Sequence, residues 1–322
     1  MDLFDVVTIG NAKIDIFLQV HDTNKHFRLD PNTGELCVKS GDKALIDQAY
    51  FLIGGNAANV SVGIVRAGFR TAIVAEIGSD EFADKIINIL KKENVSKQFL
   101  KQTEGASSIS VILNYLGERT IFEENVEREH SFSFENISTK WIYLTSMGNK
   151  WHDAYKKTLV KVIEKNIKLA FNPGTSQLDE GVESFQDVLS KTEILFINKE
   201  EGMKISKINL DFSEDSNYKE NIEKLLSAVR DTGPKNVVLT DGKKGAFMID
   251  SRGAVIIAPV EDSVVVERTG AGDAFASGFL SGILAGKDFQ SAMNWGAKNA
   301  TSVIGQIGAT AGLLRREEME GN

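Results

Sequence analysis

The sequence has little of the material for cross-links, metal sites or chain breaks. Among its 322 residues are one cysteine, Cys37, and four histidines. A single cysteine excludes an internal disulfide and suits a reducing cytoplasm. One cysteine and four histidines also supply few ligands for a zinc site. There are four prolines, and no stretch of biased composition marks a linker. We therefore expect a cytoplasmic protein with a single domain over residues 1–322.

Long apolar runs and a surplus of basic charge are missing as well. No run approaches the roughly 20 residues that a membrane helix needs, and the acidic N-terminus lacks the basic region of a secretory signal. The formal net charge is −8, whereas general nucleic-acid binding needs a basic surface. We therefore expect neither a membrane nor a nucleic acid as a partner. A phosphate ligand would need local help from helix N-termini or Mg²⁺.

Strands and helices alternate regularly after residue 140. Short β-branched runs are predicted as strands at 141–145, 168–172, 193–197 and 236–240, with helical periodicity between them. This alternation predicts a mostly parallel sheet with helices on both faces. Upstream, residues 35–39 can pair back across a turn predicted at 30–34. A hairpin predicted over 108–122 could build a small separate sheet with residues 16–20 and 35–39.

A glycine-rich turn that leads directly into a helix is the most informative stretch. Gly270, Ala271 and Gly272 place backbone N–H groups just ahead of an apolar helix predicted over 273–285. Such a helix start binds anions, because its amides are unpaired and the helix dipole is positive there. Asp273 lies where the turn meets the helix. Its carboxylate could take a proton from a hydroxyl while the turn holds a phosphate.

Polar residues follow the first predicted strand, which ends at Gly10. Asn11 and Asp15 would lie beyond its C-terminal end, where open α/β sheets bind ligands. The alternative, that Asp15 is a turn residue, fits its position alone equally well. No G-x-G-x-x-G motif follows this strand, which counts against a dinucleotide site of the Rossmann type.

A second glycine-rich entry into a helix begins at residue 54. Gly54 and Gly55 would let a ligand approach the backbone closely, and Asn56 and Asn59 could hydrogen-bond the hydroxyls of a sugar. A capped helix that is packed tightly with small residues explains the same stretch equally well.

Two further loops would lie on the same rim of the sheet. Asn198 and Glu201 follow a predicted strand, although their spacing is more typical of a helix start with a capping box. Thr240, Gly242 and Gly245 follow the next strand, although they also fit a plain turn. Each loop alone is weak evidence. Because polar loops at the ends of successive parallel strands would converge, the set together favours a ligand site.

The chemistry that these loops suit is phosphoryl transfer, which needs charge stabilisation on the moving group and a base near the acceptor. The amides of residues 270–272 could supply the first and Asp273 the second, while Glu201 could hold Mg²⁺ through water. The sequence has no G-x-x-x-x-G-K-[ST] motif and no H-R-D and D-F-G pair, which excludes a P-loop NTPase and a protein kinase.

Two of these stretches resemble the two signatures of the ribokinase-like carbohydrate kinases, also called the phosphofructokinase-B (PfkB) family. They are residues 54–68 (GGNAANVSVGIVRAG) and 269–278 (TGAGDAFASG). Asn198-x-x-Glu201 and Thr240-x-Gly-x-x-Gly245 resemble the phosphate/magnesium and nucleotide-loop motifs of that family. The four motifs follow the family's order, and the resemblance runs from Val6 to about Leu314.

The resemblance implies a three-layer α/β/α domain with a mostly parallel central sheet and a small β-sheet lid, built from residues near 12–20, 35–52 and 108–124. It implies an ATP-dependent, Mg²⁺-requiring kinase of a sugar hydroxyl, expected to be a primary one, with Asp273 as general base. The implied anion hole is Gly270, Ala271 and Gly272, and the implied sugar pocket is Asn11, Asp15, Gly54, Gly55, Asn56 and Asn59. The implied nucleotide contacts are Asn198, Thr240, Gly242, Gly245 and Asn299. Glu201 is the implied metal ligand, acting through water.

The sequence departs from the family pattern at Glu267-Arg268, where many members carry Asp followed by Thr or Pro. That Asp helps to form a monovalent-cation site in ribokinase-like members, so we expect turnover to respond only weakly to K⁺. Asn56 also stands where ribokinases proper commonly carry Lys, which weakens the case for ribose itself.

Three function hypotheses stay open on the sequence. A kinase of a sugar or sugar-like alcohol leads, a nucleoside kinase of the same family is the nearest alternative, and a non-catalytic nucleotide- or sugar-binding regulatory protein is the rival of another class. The intact Asp273 beside its glycine turn argues against that rival. Lys13, Arg128 and Lys150 could bind the anion of a sugar phosphate, although solvated surface charges are the favoured interpretation. The lid could also pair two subunits into a homodimer.

Overall fold

One nine-stranded sheet organises the part of the chain that the structure, a computed structural model, describes: residues 3–116, 118–124, 126–133, 137–259 and 263–321. In spatial order its strands are β15 (Val255–Ala258), β14 (Ala246–Ile249), β13 (Asn236–Thr240), β12 (Ile194–Asn198), β11 (Lys168–Asn172), β10 (Thr139–Thr145), β1 (Phe4–Ile9), β6 (Thr71–Ile77) and β7 (Ser96–Gln102). The strands from β13 to β7 are parallel, and β14 and β15 form an antiparallel edge.

Helices cover both faces of this sheet. One face carries α3 (His152–Lys165), α5 (Gln186–Lys191), α6 (Lys199–Ser206) and α7 (Asp215–Arg230), and the other carries α1 (Asn56–Arg66), α2 (Glu81–Lys92), α8 (Ala271–Leu284) and α9 (Phe289–Ile304). The short helices are α4 (Thr175–Glu180) and α10 (Arg316–Glu320), and 3₁₀ turns span Val182–Phe185 and Gly242–Lys244. Side chains of β1 alternate between the two cores, with Val7 in one and Val6 in the other. The three-layer prediction is confirmed. Of the helices described, none has the length and apolarity to cross a membrane.

A separate four-stranded sheet forms the lid. Its strands in spatial order are β5 (Gln48–Gly54), β2 (Lys13–Gln19), β8 (Ile109–Tyr115) and β9 (Glu118–Glu124). β2 pairs antiparallel with β5 and parallel with β8, so both of its edges are occupied. Gly117, inside the predicted lid segment 108–124, lies outside the described residues.

The prediction that residues 35–39 pair back across the turn at 30–34 is confirmed, whereas the prediction that they join residues 16–20 in one sheet is wrong. β4 (Leu36–Val38) instead pairs with β3 (Phe27–Leu29) in a hairpin of its own. The turn at residues 30–34 folds β4 back on the segment just before it, and β2 has no free edge to offer. β7 was also missed, because its sequence SKQFLKQ is too polar to predict a buried strand.

Small residues on α8 let α9 approach closely. A Cβ at Gly278 would lie 2.7 Å from the carbonyl oxygen of Trp295, and one at Gly282 would lie 2.8 Å from the Cα of Ala292. A larger side chain at either position would push the two helices apart. This packing fixes α8, and therefore the turn that precedes it, against the rest of the domain.

Candidate active site

The predicted polar loops leave the large sheet along one rim. The parallel strands end in register there, with Ile9 of β1 opposite Leu144 of β10 and Asn198 of β12 opposite Thr240 of β13. Asn11 follows β1, so it leaves the sheet at the same edge as Asn198 and Thr240. This edge is where open parallel sheets bind their ligands.

The helix α8 begins in a turn that requires glycine. Gly270 has φ of 80°, and a Cβ there would lie 2.3 Å from the Cβ of Ala309. The Ala271 amide donates to the carbonyl oxygen of Arg268 at 3.3 Å, whereas within the described part of the chain the Gly272 amide has no backbone acceptor. Nothing lies within 4 Å of a Cβ built on Gly272. The start of α8 therefore offers a free donor and open space for an anion.

Asp273 lies in the first turn of α8 and is 8% exposed. Its Oδ2 accepts a hydrogen bond of 2.8 Å from Nδ2 of Asn59 on α1. Burial raises the pKa of Asp273 to about 7; the Asn59 hydrogen bond and Lys13 oppose this rise, and the charges of Asp15 and Glu201 add to it. A carboxylate with a pKa near neutrality can accept a proton at physiological pH and release it again.

Two buried acceptor oxygens near Asp273 have no partner among the described residues. They are Oδ1 of Asp15 and Oδ1 of Asn59, and each of these residues is 3% exposed. Burial also raises the pKa of Asp15, to about 6. Gly54 packs directly on this carboxylate, since a Cβ there would lie 2.2 Å from it. Buried polar atoms are nearly always satisfied in native proteins, so these oxygens mark a place for the hydroxyl donors of a ligand.

The start of α1 places the side-chain amide of Asn56 near the end of β11. Gly55 is the N-cap with φ of 89°, and a Cβ there would lie 2.5 Å from the carbonyl oxygen of Asn11. Nδ2 of Asn56 faces Oδ1 of Asn172 at 3.5 Å, and Asn172 donates to the carbonyl oxygen of Phe196 at 2.8 Å. Asn172 was not predicted as a site residue, although its position at the end of β11 was a usable signal.

A cleft of about 910 Å³ opens between the loop after β13 and the start of α8. It is lined by Thr240, Gly242 and Gly245 from the loop and by Ala271 and Gly272 from the helix start. Pockets for small molecules and cofactors measure roughly 300–1,000 Å³. The cleft therefore has room for a nucleotide and joins the predicted nucleotide loop to the predicted anion hole.

Asn299 is not among the residues that line this cleft, and its implied place near the nucleotide base stays a prediction. It is 1% exposed, its Nδ2 donates to the carbonyl oxygen of Ala274 at 2.7 Å, and its Oδ1 accepts from the Leu314 amide at 2.8 Å. These bonds tie α9 to α8 and to the C-terminal segment. The residues that α9 presents to the cleft are Ala297, Ala300, Thr301 and Ile304. Their three- and four-residue spacing is that of one helix face, which the sequence periodicity could have predicted.

The capping-box interpretation of Asn198 and Glu201 is confirmed. The Glu201 amide donates to Oδ1 of Asn198 at 2.8 Å, and the Asn198 amide donates to Oε2 of Glu201 at 2.9 Å. Burial raises the pKa of Glu201. Within the described ranges, no three His, Cys, Asp or Glu side chains cluster to hold a metal. Beside nucleotides, Mg²⁺ is usually held by one or two carboxylates together with phosphate oxygens and water.

The three basic residues considered for an anionic substrate differ in their surroundings. Lys150 is exposed and pairs with Glu127 at 2.7 Å, so its interpretation as a surface charge is confirmed. That interpretation is wrong for Arg128, which is 7% exposed. It is also wrong for Lys13, whose side chain is 11% exposed and pairs with Glu123 of the lid. The charge of Lys13 also lowers the pKa of Asp273, so the lysine acts on that carboxylate electrostatically.

A family of known proteins matches nearly the whole chain. A protein-family model described as pfkB family carbohydrate kinase matches residues 9–316. The chain belongs to the pfkB family of carbohydrate kinases. All of the motifs discussed above lie inside the matched range.

Individual relatives of this pfkB kinase cover most of its length. It is 29% identical over 261 residues to an uncharacterized sugar kinase of Archaeoglobus fulgidus, which covers 79% of this chain and 99% of that protein. It is 24% identical over 272 residues to a nucleoside kinase of Methanocaldococcus jannaschii, with 83% and 84% covered. A ribokinase of Arabidopsis thaliana, solved with ribose and ATP, is 18% identical and superposes with a TM-score of 0.81 over 99% of this chain and 98% of that one. This superposition shows that the fold is ribokinase-like.

Proposed function

We propose that this pfkB kinase transfers the γ-phosphoryl group of ATP to a hydroxyl, expected to be primary, of a sugar or sugar-like alcohol. The observation that carries the proposal is Asp273, a buried carboxylate with a pKa of about 7. It contacts Asn59, whose Oδ1 is unpartnered among the described residues, and it follows Gly272, which lines the cleft. A base between a hydroxyl pocket and an anion site is what in-line transfer needs.

In the proposed step, Asp273 takes the proton of the acceptor hydroxyl as that oxygen bonds to the γ-phosphorus. The bond from phosphorus to the β–γ bridging oxygen breaks, and ADP leaves with that oxygen. Amides at Gly270, Ala271 and Gly272 stabilise the charge on the moving group, and the Gly272 amide is the best placed because no backbone acceptor in the described chain occupies it.

The acceptor pocket is proposed to lie between the lid and the large sheet. Asp15, with its pKa of about 6, is ionised at neutral pH and can accept two hydroxyl hydrogen bonds. Oδ1 of Asn59 supplies another acceptor. The full set assigned to the acceptor is Asn11, Asp15, Gly54, Gly55, Asn56 and Asn59.

The donor is proposed to lie in the 910 Å³ cleft. Its borders are Thr240, Gly242 and Gly245, with Thr301 of α9 opposite. Asn198 lies at the end of the neighbouring strand β12. Glu201 would hold Mg²⁺ through water, and the bound ion would neutralise charge on the β- and γ-phosphates. Three further expectations stay predictions. They are that turnover responds weakly to K⁺, that the lid pairs two subunits into a homodimer, and that the protein is cytoplasmic.

A nucleoside kinase is the second candidate, because a nucleoside kinase is among the relatives that match most of the chain. A nucleoside also carries a primary ribose hydroxyl, so Asp273 would have the same role. The difference lies in the acceptor pocket, which would have to hold a base as well as a sugar.

The test is ADP release from ATP with Mg²⁺ against a panel of sugars, sugar phosphates and nucleosides. We expect one class to stimulate release and to yield a phosphorylated product by mass spectrometry. Stimulation by nucleosides alone would favour the second candidate. If ATP binds but no member of any class is phosphorylated, the kinase proposal fails and a non-catalytic nucleotide-binding protein replaces it.

A further inference from the structure

Arg119 of the lid reaches the loop that precedes the anion-binding turn. Its Nη1 donates to Oε1 of Glu267 at 3.3 Å and to Oγ1 of Thr269 at 3.0 Å. Arg119 is the second residue of β9, opposite Asn114 of β8, so it lies near the tip of the lid hairpin. A single side chain of the lid thus touches the segment that leads into Gly270, the N-cap of α8.

The carboxylate that Arg119 meets is buried and already holds the turn. Glu267 is 4% exposed. Its Oε2 accepts from the Thr269 amide at 2.8 Å, and its Oε1 accepts from Oγ1 of Thr269 at 2.6 Å. The amide of Glu267 donates to the carbonyl oxygen of Ile304 at 3.1 Å, which anchors this segment on the end of α9. Glu267 therefore fixes the backbone of Thr269, one residue before the N-cap.

Arg119 is the cationic partner of this buried carboxylate. A buried carboxylate is costly without an opposite charge, and removing one member of such a pair leaves the other uncompensated. With Arg119 withdrawn, Glu267 would keep, among the described residues, only the neutral donors of Thr269. The charge could then be relieved by protonation, by water or by movement of the loop.

A cavity of about 320 Å³ lies between the lid hairpin and this loop. It is lined by Tyr115 and Glu118 on the hairpin side and by Val265 and Val266 on the loop side. Arg119 and Glu267 also line this cavity. Their ion pair therefore bridges two bodies that do not pack fully, which is the arrangement of a latch rather than of a continuous core.

We propose that Arg119 is a positioning residue for phosphoryl transfer, which through Glu267 and Thr269 makes the geometry of the anion-binding turn depend on the closed lid. The inference rests on the proposed kinase function. With the hairpin in place, the turn at residues 269–272 is held; with the hairpin lifted, it relaxes. The consequence is that ATP is activated only when the acceptor is covered.

The first test compares Arg119→Ala with Arg28→Ala, which removes a lid-side arginine whose partner, Asp30, is on the surface. We expect Arg119→Ala to lower kcat about 10- to 100-fold, since a small misplacement of catalytic groups has effects of this size. The KM for ATP should change far less, because the cleft itself is intact. Arg28→Ala should behave as the unaltered enzyme. Equal kcat values for Arg119→Ala and Arg28→Ala, with both folded, would overturn the proposal.

Rescue separates positioning from general stability. Guanidinium at millimolar concentration should restore part of the kcat of Arg119→Ala, whereas sodium chloride at the same ionic strength should not. The kcat of Arg119→Lys should lie between those of the unaltered enzyme and Arg119→Ala, because an ammonium restores the charge but not the forked donors. A guanidinium response no larger than the sodium chloride response would contradict the assignment.

Hydrogen exchange tests the latch without any turnover. In Arg119→Ala, the amides of residues 267–273 should exchange faster than in the unaltered protein, while those of α7 should not change. This result is expected even if no acceptor is ever phosphorylated, so it separates a failure of the latch from a failure of the kinase assignment. If the amides of residues 267–273 exchange at the same rate in Arg119→Ala as in the unaltered protein, the latch proposal is contradicted.

Discussion

Nδ2 of Asn59 on α1 donates to Oδ2 of Asp273 on α8 at 2.8 Å, and this bond joins the two helices that carry the two family signatures. The same bond also affects the pKa of Asp273. Burial raises the pKa of Asp273 to about 7, and the Asn59 hydrogen bond is the largest of the effects that oppose this rise. Two motifs far apart in sequence therefore meet at one proton-accepting carboxylate.

The pH dependence of turnover should follow Asp273. A base must be deprotonated, so we expect kcat to rise as the pH passes through about 7 and then to level off. Asn59→Ala removes a hydrogen bond to the charged form, so it should move this limb to higher pH and lower the activity at neutral pH. Asn294→Ala, which removes an exposed amide on α9, is the control. A limb that moves to lower pH in Asn59→Ala would contradict the account.

Gly272→Ala should separate folding from anion binding. The site is helical and has open space around a Cβ, so the free energy of unfolding should stay the same or rise by up to about 1 kcal/mol. The added methyl group enters the anion site, so kcat should fall by about tenfold or more. Denaturant titration and steady-state kinetics measure the two effects.

Gly270→Ala is the matched variant for comparison. Because of its φ of 80° and the close approach of Ala309, this variant should lose stability as well as activity. If Gly272→Ala retained full kcat, the anion hole would have been assigned to the wrong amides.

Asn299 and Thr301 should respond in opposite ways, although both lie on α9. Asn299→Ala should lower the free energy of unfolding by about 1–3 kcal/mol, because it leaves the Leu314 amide without its acceptor, and the KM for ATP should hardly change. Thr301→Trp should fill part of the cleft and raise the KM for ATP with little change in stability. The reverse pattern would restore Asn299 to the nucleotide site.

The local features of this protein could be predicted from its sequence. Gly270 and Asp273 lie within a few residues of each other, so the helix start that they form is visible in the sequence pattern. The central strands are apolar and β-branched, and their ends carry the polar residues of the rim. The parallel register then brings Asn198 and Thr240 together without further information.

The features that the local sequence does not indicate depend on contacts between distant segments. Arg119 and Glu267 are 148 positions apart, and nothing in either neighbourhood indicates their ion pair. Lys13 is sheltered by Glu123 from another strand of the lid, so its local sequence could not show its burial. Asn299 was placed by motif alone, whereas its helix face points to α8 and away from the cleft.

Asp273→Asn should change stability in a pH-dependent manner. The carboxyl group has a pKa of about 7 when folded and 3.8 as its ordinary value. The folded protein keeps a proton that the unfolded chain loses, so the native protein loses stability as the pH rises from about 4 to about 7. The Asn variant has no such loss, so above pH 7 it should be the more stable protein by on the order of 2–4 kcal/mol. Denaturant titrations at pH 5 and pH 8 test this, with Asp179→Asn as the exposed control.

The central claim is that Asp273 is the base that activates the acceptor hydroxyl, and the turnover of Asp273→Asn tests it most directly. The measurement is kcat for the best acceptor of the panel together with the Kd for ATP, in both the unaltered protein and the variant. We predict that ATP binding stays within about threefold while kcat falls by about 10²-fold or more, the contribution usual for a general base. Near-normal turnover in Asp273→Asn would contradict the account.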